Sequence, residues 1–145
     1  MKLRAHEPQG EMITLDTSAL LALFNRADQH HDAAVARLDA DPGPYLVPAG
    51  ILAEVAYMLE VRHGAEMLDS FLADLESGAF TLHCGERDLP RIRALARRYR
   101  DLALGFSDAA VIACAEGNGG LVLTFDRRDF DVVAREGTIS AQPSL

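Results

Sequence analysis

Four acidic residues stand in apolar surroundings along this chain. Asp16 ends the run Met12-Ile13-Thr14-Leu15, and Glu54 is the only charge between Ala49 and Leu59. Asp108 opens Ala109-Ala110-Val111-Ile112-Ala113, and Asp126 follows Leu121-Val122-Leu123-Thr124-Phe125. An isolated carboxylate in an apolar setting is costly unless it is paired or holds a metal. Two carboxylates ~4 Å apart repel by about 1 kcal/mol in water and about 4 kcal/mol at an effective dielectric near 20. A cluster of four therefore calls for a cation, and an oxygen-only donor set suits Mg²⁺ or Mn²⁺. Such an ion activates water for attack on phosphorus and needs neither lysine nor histidine to do so.

Each acid also has a purely structural reading. Asp16 and Asp108 lie at helix starts, where a carboxylate stabilises the macrodipole by ~0.3–1 kcal/mol. Asp126 could be a turn residue before Arg127-Arg128. Glu54 is the hardest to explain this way, because the other residues from Ala49 to Leu59 are uncharged and mark no solvated face. Ser18 is either an N-cap or a hydroxyl facing the site, and Thr124 either a strand residue or an orienter of Asp126. Asp129 reads equally as a supporting acid or a solvated turn, and Asp101 more as loop surface than as a ligand. His30-His31 lack a metal-binding partner one turn on and read as surface histidines.

Strands and helices must bring these positions together. Residues 12–15, 45–47, 79–82 and 121–124 read as short, continuously apolar strands, with a possible edge strand at 138–140. Helices are expected over 19–24, 28–40, 51–62, 65–76, 89–100 and 108–116, with a turn or short helix over 127–130. In the helix 65–76, Met67, Leu68, Phe71, Leu72 and Leu75 should point inward. Ile92, Leu95, Ala96 and Tyr99 form an i, i+3, i+4, i+7 inward set, leaving Arg93, Arg97 and Arg100 as an outward row able to meet phosphate or solvent. This alternation implies an α/β class: a three-layer α/β/α sandwich with a short, mostly parallel central sheet. Sites in such sheets form at the carboxyl ends of strands, where Asp16 and Asp126 both fall.

The 145 residues carry a net charge of −8. Residues 86–100 hold six arginines against Glu86 and Asp88, a net of +4, which leaves −12 on the remainder. The only lysine is Lys2, so the chain lacks a Walker-type phosphate loop, which ends in lysine. Residues 1–11 read as a polar extension, with Met12 an alternative start, and residues 12–145 as one domain. No apolar run approaches the ~20 residues of a membrane span. Cys84 and Cys114 have neither zinc spacing nor a disulfide framework, which fits a reducing, cytoplasmic setting; Cys114 reads as a buried thiol.

Taken in order, Ile13-Thr14-Leu15-Asp16-Thr17-Ser18-Ala19-Leu20, Ile51-Leu52-Ala53-Glu54-Val55, Phe106-Ser107-Asp108-Ala109-Ala110 and Leu123-Thr124-Phe125-Asp126-Arg127-Arg128-Asp129-Phe130 resemble a PIN domain. The nearest subgroup is the VapC-type toxins of bacterial toxin–antitoxin pairs. The resemblance implies a metal-dependent ribonuclease in which Asp16, Glu54, Asp108 and Asp126 hold one or two Mg²⁺ or Mn²⁺ ions beside Ser18. It also implies a homodimer, and a cognate antitoxin that obstructs the acidic site with a basic C-terminal segment. Two other readings stay open: a non-catalytic module that binds a small basic protein, and a PIN-type nuclease acting on DNA or in RNA processing.

Overall fold

A computed structural model of the chain describes residues 10–143. Across these residues five short strands form one sheet: β1 (Ile13–Leu15), β2 (Tyr45–Pro48), β3 (Thr81–His83), β4 (Leu121–Leu123) and β5 (Ser140–Gln142). Their order is β3-β2-β1-β4-β5, and every neighbouring pair is parallel. The sheet is thus wholly parallel, and the edge strand falls two residues later than its sequence suggested.

Helices fill every crossover. α1 (Thr17–Phe24) and α2 (His31–Asp39) join β1 to β2, and α3 (Leu52–His63) and α4 (Ala65–Ser77) join β2 to β3. α5 (Leu89–Arg98) and α6 (Phe106–Glu116) return the chain to β4, and α7 (Arg127–Ala134) leads to β5. Parallel crossovers are right-handed. Moving outward from β1 to β3 therefore puts α1–α4 on one face, and the reversed path through β4 and β5 puts α5–α7 on the other. α6 is the centre of that second layer: every residue from Ala109 to Ala115 is buried. Its small side chains allow close approach, and Gly50 completes it, since a Cβ there would stand 2.6 Å from the Ala110 Cβ.

Several boundaries move. α5 stops at Arg98, and Arg100 belongs to a separate 3-10 turn, Arg100–Leu102; Arg93, Arg97 and Arg100 are all exposed but do not share one helix. α6 begins at Phe106, ahead of Asp108, because Gly105 in extended conformation starts it. α7 runs on to Ala134, anchored by buried Phe130 and Val133. Leu72 is 45% exposed rather than inward; Phe71 alone on α4 is buried, packed edge-on against Phe24 at 5.6 Å. Of the expected N-terminal extension, residues 1–9 lie outside the described residues. No helix among the described residues is long and apolar enough to cross a membrane.

Candidate active site

Topology makes the crevice. The chain runs outward from β1 to β3, then restarts on the far side of β1 with β4. Ligand crevices form beyond the strand carboxyl ends at such a reversal. Leu15 and Leu123 are register partners, so Asp16 and Thr124 meet one residue further on. The Asp16 N–H donates to the Leu123 carbonyl at 3.3 Å. The Thr124 hydroxyl donates to Asp16 Oδ2 at 2.5 Å.

Asp16 is both a helix cap and a cleft residue. Its Oδ1 accepts from the Ala19 N–H at 2.8 Å and from the Ser18 hydroxyl at 2.7 Å. Ser18 Oγ in turn accepts from the Phe125 N–H at 2.9 Å, and Thr124 Oγ1 accepts from the Asp126 N–H at 3.0 Å. Two hydroxyls thereby tie the start of α1 to the segment that carries Asp126. Thr124 bonds the backbone of Asp126 and the side chain of Asp16, so it orients both.

The remaining acids come from three helix starts. Asp108 lies in the first turn of α6 and Glu54 in the first turn of α3. Asp126 occupies the N-cap position of α7, yet its carboxylate makes no capping bond and stays free to face the cleft. Asp16, Glu54, Asp108 and Asp126 all line one open cleft of about 480 Å³, with Thr17, Ser18, Met58 and Phe106 among its other walls. Glu54 accepts a 2.6 Å hydrogen bond from the Thr17 hydroxyl. Sequence reasoning missed Thr17 as a partner; its position directly after Asp16 was the available signal.

The premise of four acids in apolar surroundings needs correction. Only Asp16 is buried, at 4% exposure. Asp108 is half-buried, and Glu54 and Asp126 are exposed. α3 does have a solvated face, which includes Ala53, Glu54, Tyr57, Glu60 and Val61. Because its residues nearest Glu54 are uncharged, the sequence conceals that face there.

Burial and mutual repulsion shape the charges. Burial pushes the Asp16 carboxyl up to about 6, against the pull of the hydrogen bonds from Thr124, Ala19 and Ser18. Asp108 also rises to about 6, first through burial and then through the carboxylates of Asp126, Asp129 and Glu54. The cleft thus holds more negative charge than its surroundings accommodate. Among the described residues, no three His, Cys, Asp or Glu side chains form a ready-made ligand cluster. The donor chemistry still fits Mg²⁺ or Mn²⁺: Mg²⁺ commonly keeps several waters and takes one or two protein carboxylates, with substrate phosphate supplying further oxygens.

Other candidates separate by position. Asp129, in the first turn of α7, is half-buried and near enough for its charge to raise Asp108. Asp101 is exposed in the turn after α5 and does not line the cleft, although Ala103 and Gly105 do. Arg91 and Arg98 pair with Glu116 and Glu136 at 2.7 and 3.2 Å. Among the described residues Arg93, Arg97 and Arg100 pair with no carboxylate. His30 and His31 are half-buried rather than surface residues. His30 stacks on Phe125 with centroids 4.5 Å apart, and His31 Nδ1 lies 2.8 Å from the Ala22 carbonyl oxygen. Cys114 is buried beside Thr14, and burial pushes its thiol up to about 11.

Fold and cleft together define a class: a parallel α/β domain whose acidic crevice sits at the topological reversal. The chain belongs to the PIN-domain family, matching the PIN domain over residues 13–136. It is 31% identical over 121 residues to Ribonuclease VapC26 of Mycobacterium tuberculosis, covering 82% of this chain and 90% of that protein. Its fold is similar to that of Mycobacterium tuberculosis VapC20, described as a sarcin-ricin loop cleaving toxin, with a TM-score of 0.72 at 21% identity over 83% of this chain and 94% of that one. It is also similar in fold to Rickettsia felis VapBC2, solved with a DNA fragment from its promoter. That match has a TM-score of 0.67 at 14% identity over 90% and 97% of the two chains.

Proposed function

We propose that the chain is an endoribonuclease, the toxin of a VapBC-type toxin–antitoxin pair, that hydrolyses RNA phosphodiester bonds with Mg²⁺ or Mn²⁺. The observation that carries this reading is the convergence of Asp16, Glu54, Asp108 and Asp126 on one cleft at the sheet reversal. Likeness to Ribonuclease VapC26 supports RNA as the substrate. In this reading the four acids hold the cation. When bound, it supplies the charge that activates water and offsets charge developing on the leaving oxygen.

The chain's own residues prepare that chemistry. Thr124 and Ser18 fix Asp16 through hydrogen bonds to its two oxygens. Thr17 holds Glu54 at the cleft wall, ready to release it to a cation or water. Asp129 adds negative charge that favours cation binding. Arg93, Arg97 and Arg100, which pair with no carboxylate among the described residues, offer guanidiniums for RNA phosphates. A cytoplasmic homodimer, held inactive by an antitoxin whose basic segment enters the acidic cleft, completes the proposal. Induction of the chain followed by sequencing of RNA ends tests it. New, discrete 5′ ends should appear with the wild type and vanish with Asp16→Asn. An identical end profile for both would refute it.

A further inference from the structure

Beside the acidic cleft lies a smaller cavity of about 110 Å³, walled by Pro48, Leu89, Ile92 and Phe106 and also by Glu86 and Asp88. Phe106 lines both spaces, so one ring stands between the acidic cleft and a mainly apolar recess. It is 54% exposed, and Leu89 at the same recess is 56% exposed. Large apolar side chains left open at a concave site mark ligand surfaces.

The ring is held in place. A Cβ on Gly50 would stand 3.2 Å from Phe106 Cε2, so the ring edge rests against bare backbone while much of its face stays open. From the recess, Leu89, Arg93 and Arg97 follow at i+4 spacing within α5, on one side of the helix. An apolar wall is therefore followed by two guanidiniums that pair with no carboxylate among the described residues. Beside the acidic cleft there thus stand a flat apolar ring and two guanidiniums, groups that a base and a phosphate of a single-stranded nucleotide would meet.

We infer that Phe106 and the recess behind it form a nucleobase subsite, in which the base flanking the scissile phosphate of single-stranded RNA stacks on the ring. This inference rests on the ribonuclease reading. Base–aromatic stacking tolerates any base, because each has a π-face. Phe106 thus holds a strand at the cleft without selecting its sequence.

The chain contains no tryptophan, so Phe106→Trp places a sole indole at the subsite. It is titrated with oligoadenylate RNA and with an abasic ribose-phosphate oligomer of equal length, with Ca²⁺ in place of Mg²⁺. Oligoadenylate should quench the indole, while the abasic oligomer should leave it unchanged. Leu72→Trp, outside both cavities, should respond to neither. Phe106→Ala should lose between about 5- and 150-fold in affinity for oligoadenylate with its abasic affinity unchanged. Equal quenching by the two oligomers, or a Phe106→Ala variant that keeps the wild-type preference for base-bearing RNA, overturns the subsite. RNA cleavage by the wild type without quenching in Phe106→Trp overturns the subsite and leaves the nuclease standing. Quenching without any cleavage by the wild type supports base stacking on Phe106 but overturns the nuclease, and with it the assignment of that base to a scissile phosphate.

Discussion

Asp16→Asn should stabilise the metal-free protein at neutral pH, although it removes the best-connected acid of the cleft. The carboxyl rises from 3.8 to about 6 on folding, because burial outweighs three hydrogen bonds to it. A raised folded pKa means the contribution is fully present below about 3.8 and is lost as pH rises through about 6. About two units at 1.36 kcal/mol each amount to roughly 3 kcal/mol lost by pH 7. Asn cannot ionise. Its oxygen can keep the 2.8 Å cap to the Ala19 N–H. Its amide can donate to Thr124 Oγ1, whose hydroxyl then turns toward Ser18 Oγ at 3.5 Å. Urea unfolding in EDTA should therefore find the two proteins within about 1 kcal/mol of each other near pH 4. Near pH 7 the variant should be more stable by about 2–3 kcal/mol, roughly 5–10 °C in Tm for a domain of this size. Mg²⁺ should narrow the gap by binding only the ionised wild-type cleft. A variant that is less stable at pH 7, or a difference that does not change with pH, would refute the argument from burial.

Three further outcomes follow from the same contacts. Thr124→Val keeps the strand shape but removes the 2.5 Å donor to Asp16 and the acceptor for the Asp126 N–H; RNA cleavage should fall at least ~10-fold, a loss of about 1.4 kcal/mol in transition-state stabilisation, and a wild-type kcat/KM would argue against an orienting role. Replacing Arg93, Arg97 and Arg100 with Gln should lower the magnitude of the slope of log affinity against log salt by up to about 2 for single-stranded RNA; an unchanged slope in a salt titration would make the row a solvated surface. Gly50→Ala places a Cβ 2.6 Å from that of Ala110, and chemical denaturation should show a loss of about 1–3 kcal/mol from overpacking, whereas wild-type stability would mean that α6 shifts freely.

The sequence made the architecture readable because each apolar run had a single consistent meaning. Ile13-Thr14-Leu15 and Leu121-Val122-Leu123 are too short for helices and buried on both sides, so a parallel sheet was the one arrangement that satisfied them. Boundaries moved where caps and turns decided them: Gly105 starts α6 two residues before Asp108, and Tyr99 ends α5 before Arg100. Asp16 was legible as a buried charge at a strand end. Glu54 was picked out by a weaker argument, since Tyr57 and Val61 expose apolar side chains that hydrophobicity alone places inside. Thr17 was signalled only by its place directly after Asp16, and Phe106 not at all, because their roles depend on a hydrogen bond and a cavity formed across distant segments.

The central claim is that four carboxylates gathered at the sheet reversal make one cation site that cleaves RNA. The most direct measurement is the cleavage rate of the purified, EDTA-stripped chain on RNA as Mn²⁺ or Mg²⁺ is restored, beside Asp16→Asn and Asp108→Asn. Cleavage should be absent before metal, recover saturably in the wild type, and fall by at least ~100-fold (about 2.7 kcal/mol) in each variant. Metal-independent cleavage, or variants that recover with the wild type, would contradict the claim.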